Sequence, residues 1–372
     1  MKNKIYRQEL DKIAVYKPGR PIEEVKRLLG LKDVHKLASN EIANFPDYAR
    51  KAVIEELKNI NRYPQGDCFY LREILAKKLK VDKERLVFGN GSDEVIALAL
   101  RALINKGDEV IVAYPTFLIY EIQAKVHSAR VVRAPLKGLR YNLEEILSKI
   151  NKRTKIIFIA NPDNPTGTYL NQKEIEGFLK KVPANVLVYL DEAYFEFAPA
   201  DFPKSINLLK KRKNIIVSRT FSKVYGLAGL RIGYGITSKE LAGVLNRIRD
   251  PFNVNRFAQA AAITALKSDN FVKKVLLDTA REKKYLYREL DKAGLSFIKS
   301  ATNFILIKFA KDAGKLSEYL LRRGIIIREL GGWGLKGFFR VTLGTHKENA
   351  KFVEALKKFL SQSGKVSGRT KK

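Results

Sequence analysis

The stretch SRTFSKVYGLAGLRIGY, residues 218–234, decides the fold reading of this 372-residue chain. It sets Lys223 among small and hydroxyl-bearing residues and brings Arg231 shortly after it. A lysine amine that is to react with a carbonyl must be partly unprotonated near neutral pH. A neighbouring cation, or removal from water, achieves this. The hydroxyls of Thr220 and Ser222 are of the kind that grips a phosphate.

Further motifs flank this stretch. FGNGSDE (88–94) stands between an apolar run and a helix-forming run. Gly89 and Gly91 permit a tight turn, Ser92 adds a hydroxyl, and a helix N-terminus offers free N–H groups to an anion. The same letters also suit an ordinary capped helix start. NPDNPTG (161–167) follows KIIFIA (155–160), so its rigid turn residues form a loop at the carboxyl end of a strand. In VLVYLDEAYFEF (186–197), Asp191 lies just past a buried strand and Tyr194 follows it on the next turn. FFRVTLG (338–344) puts Arg340 in a strand, where it can clamp a carboxylate in bidentate fashion or pair with a local acid.

Composition excludes several classes. Hydrophobic residues at 45% and charged residues at 30% describe a globular protein, not a disordered one. The apolar runs are too short to span a bilayer, and MKNKIYRQELDK at the start has no apolar core of a signal peptide. One cysteine, Cys68, leaves no internal disulfide and fits a reducing compartment, hence the cytoplasm. No metal-ligand spacing is present. The net charge of +32 admits three readings: phosphate contacts to nucleic acid, steering of anionic ligands, or a lysine-rich solvated surface. The basic residues are dispersed and accompany no zinc-finger or RNP-type motif, which argues against specific nucleic-acid binding as the main function.

Along the chain, residues 1–35 read as an N-terminal arm containing YKPGRP. Residues 36–250 alternate short apolar strands with amphipathic helices. Strands are predicted at 86–88, 109–112, 129–133, 155–159, 186–190, 214–217 and 231–235, and helices at 94–104, 143–150 and 172–182. This alternation predicts an α/β layer architecture with a mostly parallel sheet, with ligands at the strand carboxyl ends. Residues 251–363 change character: a helical run over 256–293, strands at 303–309, 324–328 and 338–343, then a helix to 360. They read as a smaller α+β domain. Residues 364–372 read as a basic tail.

Together these motifs closely resemble the class I/II aminotransferases, pyridoxal-phosphate enzymes of fold-type I, over nearly the whole chain. Within them the order VYKPGRPIEEVKRLLG, KLASNE, RYPQG, GNGSDE, YPTF, NPDNPTG, YLDEAY, RTFSKVYGLAGLRIGY, DPFNVN, TNFILI, GIIIREL and RVTLGT is similar to the histidinol-phosphate aminotransferase family. The resemblance implies pyridoxal 5'-phosphate as cofactor and a homodimer. It implies amino transfer between L-histidinol phosphate and 2-oxoglutarate (glutamate) in histidine biosynthesis. It gives Lys223 the Schiff-base and proton-shuttling role, Asp191 the pyridinium nitrogen, and Asn164 and Tyr194 the phenolic oxygen. Phe117 would stack on the ring. Gly91, Ser92, Asp93, Thr220, Ser222 and Arg231 would form the phosphate cup, and Tyr63 would reach a neighbouring subunit's phosphate. Tyr16, Asn40, Asn164, Arg328 and Arg340 would contact the substrate, with Arg328 a candidate for its phosphate and Arg340 for a carboxylate.

Two departures touch the site's rim. The segment after ASNE reads Ile42-Ala43-Asn44-Phe45-Pro46 where relatives carry Asn-Pro and a glycine, and Gln65 replaces a more usual Asp. An aromatic amino acid aminotransferase and a threonine-phosphate decarboxylase are therefore alternatives on the same frame.

Overall fold

A computed structural model describes residues 4–309 and 312–366, with the backbone alone for 363–366. They form two compact units. The first holds the described residues up to Val15, Phe45–Asn164 and Thr168–Lys273. The second holds Tyr16–Asn44, Pro165–Gly167 and the described residues from Lys274 onward.

This division differs from the boundaries read from the sequence. The arm expected over 1–35 splits after Val15. Arg7 donates to Val126 O at 2.7 Å and to Ser128 Oγ at 3.0 Å in the first unit, whereas Val25, Val34 and Ala38 pack with Ile326 in the second. The first unit also runs past residue 250, because helix Arg256–Ala265 buries Ala258, Ala261, Ala262 and Ala265 in the core that holds Ala49, Leu71 and Leu75. The helical run expected over 256–293 breaks before helix Asp269–Lys292. There Lys78 Nζ donates to the Leu266 carbonyl at 2.7 Å, which a continuous helix would have used, and to the Asp269 carboxylate at 2.8 Å. The last helix, His346–Val366, extends into the expected tail, whose residues 367–372 lie outside the described residues.

The strands in chain order are β1 His35–Lys36, β2 Leu86–Gly89, β3 Glu109–Tyr114, β4 Arg130–Pro135, β5 Thr154–Ala160, β6 Leu187–Asp191, β7 Ile215–Thr220, β8 Gly233–Ile236, β9 Phe304–Lys308, β10 Ile325–Ile326, β11 Arg328–Glu329 and β12 Phe338–Thr342. The first unit is built on a seven-stranded sheet of order β2-β8-β7-β6-β5-β3-β4. Every pairing in it is parallel except the two made by β8. Both faces are covered, as parallel sheets require. On β6, Val188 and Leu190 enter one apolar cluster while Leu187 and Tyr189 enter the other; on β5, Ile157 and Ile159 oppose Ile156 and Phe158 in the same way. This is why these strands read as continuous apolar runs in the sequence.

In the second unit, β11-β12-β9 form an antiparallel sheet and β1 pairs with β10 in parallel. The single strand expected over 324–328 is thus two. β1 is only two residues long, so the segment must find its next hydrogen bonds on β12. Leu286, Leu290, Ile305, Ile307, Phe339, Val341, Phe352 and Leu356 fill this unit's core. No described helix is long and apolar enough to cross a membrane.

Gly233, the first residue of β8, faces backbone it cannot displace. A Cβ there would lie 2.8 Å from the Gly91 carbonyl carbon, 3.0 Å from Arg219 O, and closer still to the Ser92 amide. Gly233→Ala should destabilise the fold by about 1–3 kcal/mol in chemical denaturation. Gly229→Ala, where a Cβ meets nothing within 4 Å, should change stability by less than about 0.5 kcal/mol.

Candidate active site

Direction in the large sheet gathers the motifs. β2, β3, β5, β6 and β7 run the same way, so their carboxyl ends share one edge, and the antiparallel β8 brings its amino end there too. Register completes the alignment: Gly89 and Thr220 both sit opposite Gly233, while Ala160 and Ser218 flank Asp191. FGNGSDE, YPTF, NPDNPTG, Asp191, Thr220 and Arg231 therefore follow or precede strand ends on one side.

One corner of this edge forms a cup. Helix Ser92–Leu103 starts behind Gly91, whose φ of 78° is left-handed and which supplies no side-chain cap, so the first-turn N–H groups stay available. Thr220 is buried, and its Oγ1 accepts from the Ser222 N–H at 3.0 Å. Arg231 was expected inside a strand. It instead closes a short turn over Ala228–Leu230 with φ 55°, and β8 begins at Gly233. That conformation sends the guanidinium back over the cup, with Nη1 3.4 Å from Ser222 Oγ and Nη2 3.5 Å from Asp93 Oδ2. A Cβ on Gly91 would lie 3.1 Å from Arg231 Cζ and nearer still to Nη2. The absence of a side chain at 91 thus leaves a cradle between a helix N-terminus and an arginine. A helix dipole, hydroxyls and a guanidinium together suit a phosphate, so these residues fit the group that the resemblance implies.

Beside the cup lie the groups expected to carry covalent and proton chemistry. Lys223 is half-buried, with Nζ 5.4 Å from the centre of the buried Tyr194 ring. Asp191 is buried at the end of β6. Its Oδ2 accepts from Tyr120 Oη at 2.7 Å and its Oδ1 from the Ala193 N–H at 3.1 Å. Burial pushes this carboxyl up to about 6, while the Tyr120 and Ala193 bonds pull it down. A carboxylate held out of water will keep its charge best by pairing with a protonated partner, as a pyridinium nitrogen would provide.

Asn164 is buried at the first-unit end of the 161–167 loop; Pro165–Gly167 belong to the second unit. Thr116 Oγ1 donates to Asp163 Oδ1 at 2.6 Å and lies 2.9 Å from Tyr141 Oη, which accepts from the Ala160 N–H at 3.0 Å. These bonds tie the YPTF and NPDNPTG loops together. Phe117 meets Tyr120 edge-on with centroids 5.5 Å apart. Behind Asp191, Glu192 and Arg219 make a buried ion pair at 2.8 Å that links β6 to the strand leading to Lys223. Burial also pushes the nearby Glu196 carboxyl up to about 8.

Tyr120, Thr116 and the Glu192–Arg219 pair were not found by reading the motifs. The available signal for Tyr120 was an aromatic one helical turn after Phe117, which ordinary core packing explains equally well.

Of the residues expected to meet substrate, Tyr16, Asn40, Arg328 and Arg340 lie in the second unit and Asn164 in the first. Arg328 and Arg340 sit directly opposite each other in the β11–β12 register. Arg340 is buried and donates to Ala38 O at 2.7 Å; Arg328 donates to Lys17 O at 2.7 Å. Aromatic faces separate them: Trp333 lies 5.6 Å from the Arg328 guanidinium and 5.8 Å from that of Arg340, Tyr16 lies 6.0 Å from Arg328, and Phe304 lies 5.1 Å from Arg340. Like charges opposed across strands are unfavourable, so this pair is poised to accept an anion. Asn40 is buried with φ 56°; its N–H donates to Thr342 Oγ1 at 2.9 Å and its carbonyl accepts from Asn303 at 3.0 Å. Tyr63 is 77% exposed and stacks on Phe252 with centroids 4.6 Å apart.

Comparison with known proteins gives concordant results. The family model for aminotransferase class I and II matches residues 32–356. A histidinol-phosphate aminotransferase of Moorella thermoacetica is 44% identical over 359 residues, 95% of this chain and 93% of that protein. A second, from Carboxydothermus hydrogenoformans, is 43% identical over 357 residues, 95% of this chain and 99% of that protein. Among solved structures, the histidinol-phosphate aminotransferase of Sinorhizobium meliloti in complex with pyridoxal-5'-phosphate superposes with a TM-score of 0.89 at 27% identity, covering 97% of this chain and 98% of that one.

If the cradle binds phosphate, Gly91→Ala should displace Arg231 and weaken inorganic phosphate binding at least about tenfold, or 1.4 kcal/mol. Titration calorimetry on cofactor-free protein measures this. Binding equal to that of the parent would show that residue 91 is not part of the anion site.

Proposed function

The chain belongs to the class I and II aminotransferases, and on that premise we propose that it moves the amino group of L-histidinol phosphate to 2-oxoglutarate, giving imidazole-acetol phosphate and L-glutamate. One observation carries the reading. A single sheet edge collects a reactive lysine, a buried carboxylate and an anion cup, and the second unit offers a pair of arginines for anionic substrates.

When bound, pyridoxal phosphate supplies a carbonyl that condenses with amines and a protonated ring that takes up the electron pair left when a Cα–H bond breaks. Lys223 Nζ would anchor the cofactor and serve as the base that moves the substrate's Cα proton. Asp191 would hold a proton on the ring nitrogen. Asn164 and Tyr194 would donate to the ring's phenolic oxygen, and Phe117 would cover the ring. Gly91, Ser92, Asp93, Thr220, Ser222 and Arg231 would hold the phosphate, with Asp93 also orienting the arginine. Arg328, helped by Tyr16 and Asn40, takes the substrate phosphate, while Arg340 takes the carboxylate of glutamate or 2-oxoglutarate.

A homodimer completes this proposal. The segment around Tyr63 exposes Ile54 (57%), Ile60 (69%) and Tyr70 (63%), an unusual density of apolar side chains for a monomer's surface. Cys68, which burial leaves an unreactive thiol with its ionisation pushed up to about 11, is compatible with the cytoplasm.

Three experiments test the reading. Lys223→Ala should abolish turnover and the lysine-linked chromophore trapped by borohydride while leaving the fold intact; retained turnover would refute the assignment. Asp191→Asn should lower turnover about a thousandfold, roughly 4 kcal/mol of barrier. In a panel of amino donors with 2-oxoglutarate, Arg328→Ala should weaken histidinol phosphate by about 2–5 kcal/mol and leave phenylalanine nearly unaffected. Equal losses on all donors would make Arg328 structural.

A further inference from the structure

We propose that Tyr120 is the positioning residue that orients Asp191 and holds its charge, by donating to one carboxylate oxygen while the carboxylate keeps a lone pair with which to meet the cofactor. The inference deepens the reading above and rests on Asp191 being the ring-nitrogen partner. Tyr120 belongs to no motif of the catalytic set, yet its Oη lies 2.7 Å from Asp191 Oδ2 and both residues are buried.

Geometry leaves the tyrosine little freedom. Its ring stacks on Phe158 with centroids 4.9 Å apart and planes within 9°, and Phe117 closes on it edge-on. It stands in the first turn of helix Ile119–Val126, directly after the YPTF loop. One loop therefore delivers both the residue expected to cover the ring and the donor that steadies the ring's carboxylate partner. A carboxylate offers about four lone-pair sites. Tyr120 takes one on Oδ2 and the Ala193 N–H one on Oδ1, and with Ser218 beside them the carboxylate still keeps a site for a further donor.

The charge balance around Asp191 explains why a donor is needed. Burial drives its carboxyl up to about 6, and Asp93, across the cup on helix Ser92–Leu103, pushes in the same direction. The downward pull comes from Tyr120, the Ala193 N–H and Ser218, its register neighbour on β7. Tyr189 also faces Asp191, and Tyr141 faces Tyr120. Burial holds all three phenols well above their usual range, so none of them adds a charge. Tyr120 thus remains a donor at every working pH.

Tyr120→Phe retains the ring and its stacking and removes one donor. The test is equilibrium binding of pyridoxal phosphate to cofactor-free protein as a function of pH. It is run on the parent, Tyr120→Phe, Asp191→Asn and the double variant, with thermal unfolding as a folding control. Tyr120→Phe should move the acidic limb of the binding profile up by about one pH unit and so weaken binding about tenfold on that limb, the loss shrinking to about twofold near neutral pH, by linkage. In the Asp191→Asn background the same substitution should do nothing further, because its effect passes through the carboxylate. Infrared difference spectra of cofactor-free Tyr120→Phe should show a protonated carboxyl at neutral pH that the parent lacks.

Equal losses in both backgrounds would make Tyr120 a packing residue and overturn the proposal. So would an unchanged pH limb in a folded Tyr120→Phe protein with a large Asp191→Asn effect. If Asp191→Asn itself left binding and turnover intact, the ring-nitrogen reading of Asp191 would fall first and take this proposal with it. If Tyr120→Phe failed to fold, the infrared comparison would pass to Tyr120→His, which restores a donor and should keep the carboxyl ionised; a protonated Asp191 there would also overturn the proposal.

Discussion

A parallel sheet buried on both faces leaves polar chemistry only one place to stand, the loops at the ends of its strands. The rest of this structure depends on that constraint. In β5, β6 and β7 most side chains fill the two apolar clusters, and the polar groups of β6 and β7 gather toward their carboxyl ends, at Asp191 and at Ser218, Arg219 and Thr220. Because these strands run in one direction, those ends fall on one edge, and the loops that follow add Asn164 and Lys223 to it.

The single reversed strand in the sheet has a distinct role. β8 enters from the catalytic edge, so the residues just before it, not just after it, face the site. Arg231 occupies that position in a left-handed conformation and turns its guanidinium toward the amino end of helix Ser92–Leu103. Glycine is required at 91 and 233 because three main-chain segments and a guanidinium converge there, and a methyl group at either site would collide with them. Cation, helix dipole and hydroxyls are held in place before any anion arrives, which lowers the ordering cost of binding it.

The second unit handles charge differently. Arg328 and Arg340 are forced into register by the β11–β12 ladder, and the flanking rings of Tyr16, Trp333 and Phe304 take part of the burden of two like charges side by side. The main-chain carbonyl of Lys17 accepts one donor from Arg328, and that of Ala38 one from Arg340. An anionic group would relieve such a pair better than a neutral one.

Much of this was legible in the residue order alone. Alternating apolar runs and amphipathic stretches announced the α/β sheet, because burial on both faces imposes that pattern. GNGSDE and the hydroxyls of Thr220 and Ser222 pointed to an anion-binding turn, because a helix N-terminus beside hydroxyls suits a phosphate, and the family resemblance supplied the rest of the expected site. These are local signals, and local chemistry is what a sequence records most directly. Other features arose only when distant segments met. Helix Arg256–Ala265 joins the first unit because its alanines fit a core formed by residues some two hundred positions earlier. The segment 324–328 divides in two because β1 is too short to pair with all of it. Tyr120 becomes the partner of Asp191, and Arg328 the neighbour of Arg340, through contacts that no periodicity encodes. The sequence by itself determined which polar and charged side chains are present and the alternation that builds the sheet. Only the tertiary structure decided which buried groups share a hydrogen bond, since that depends on the register and packing of segments far apart in the chain.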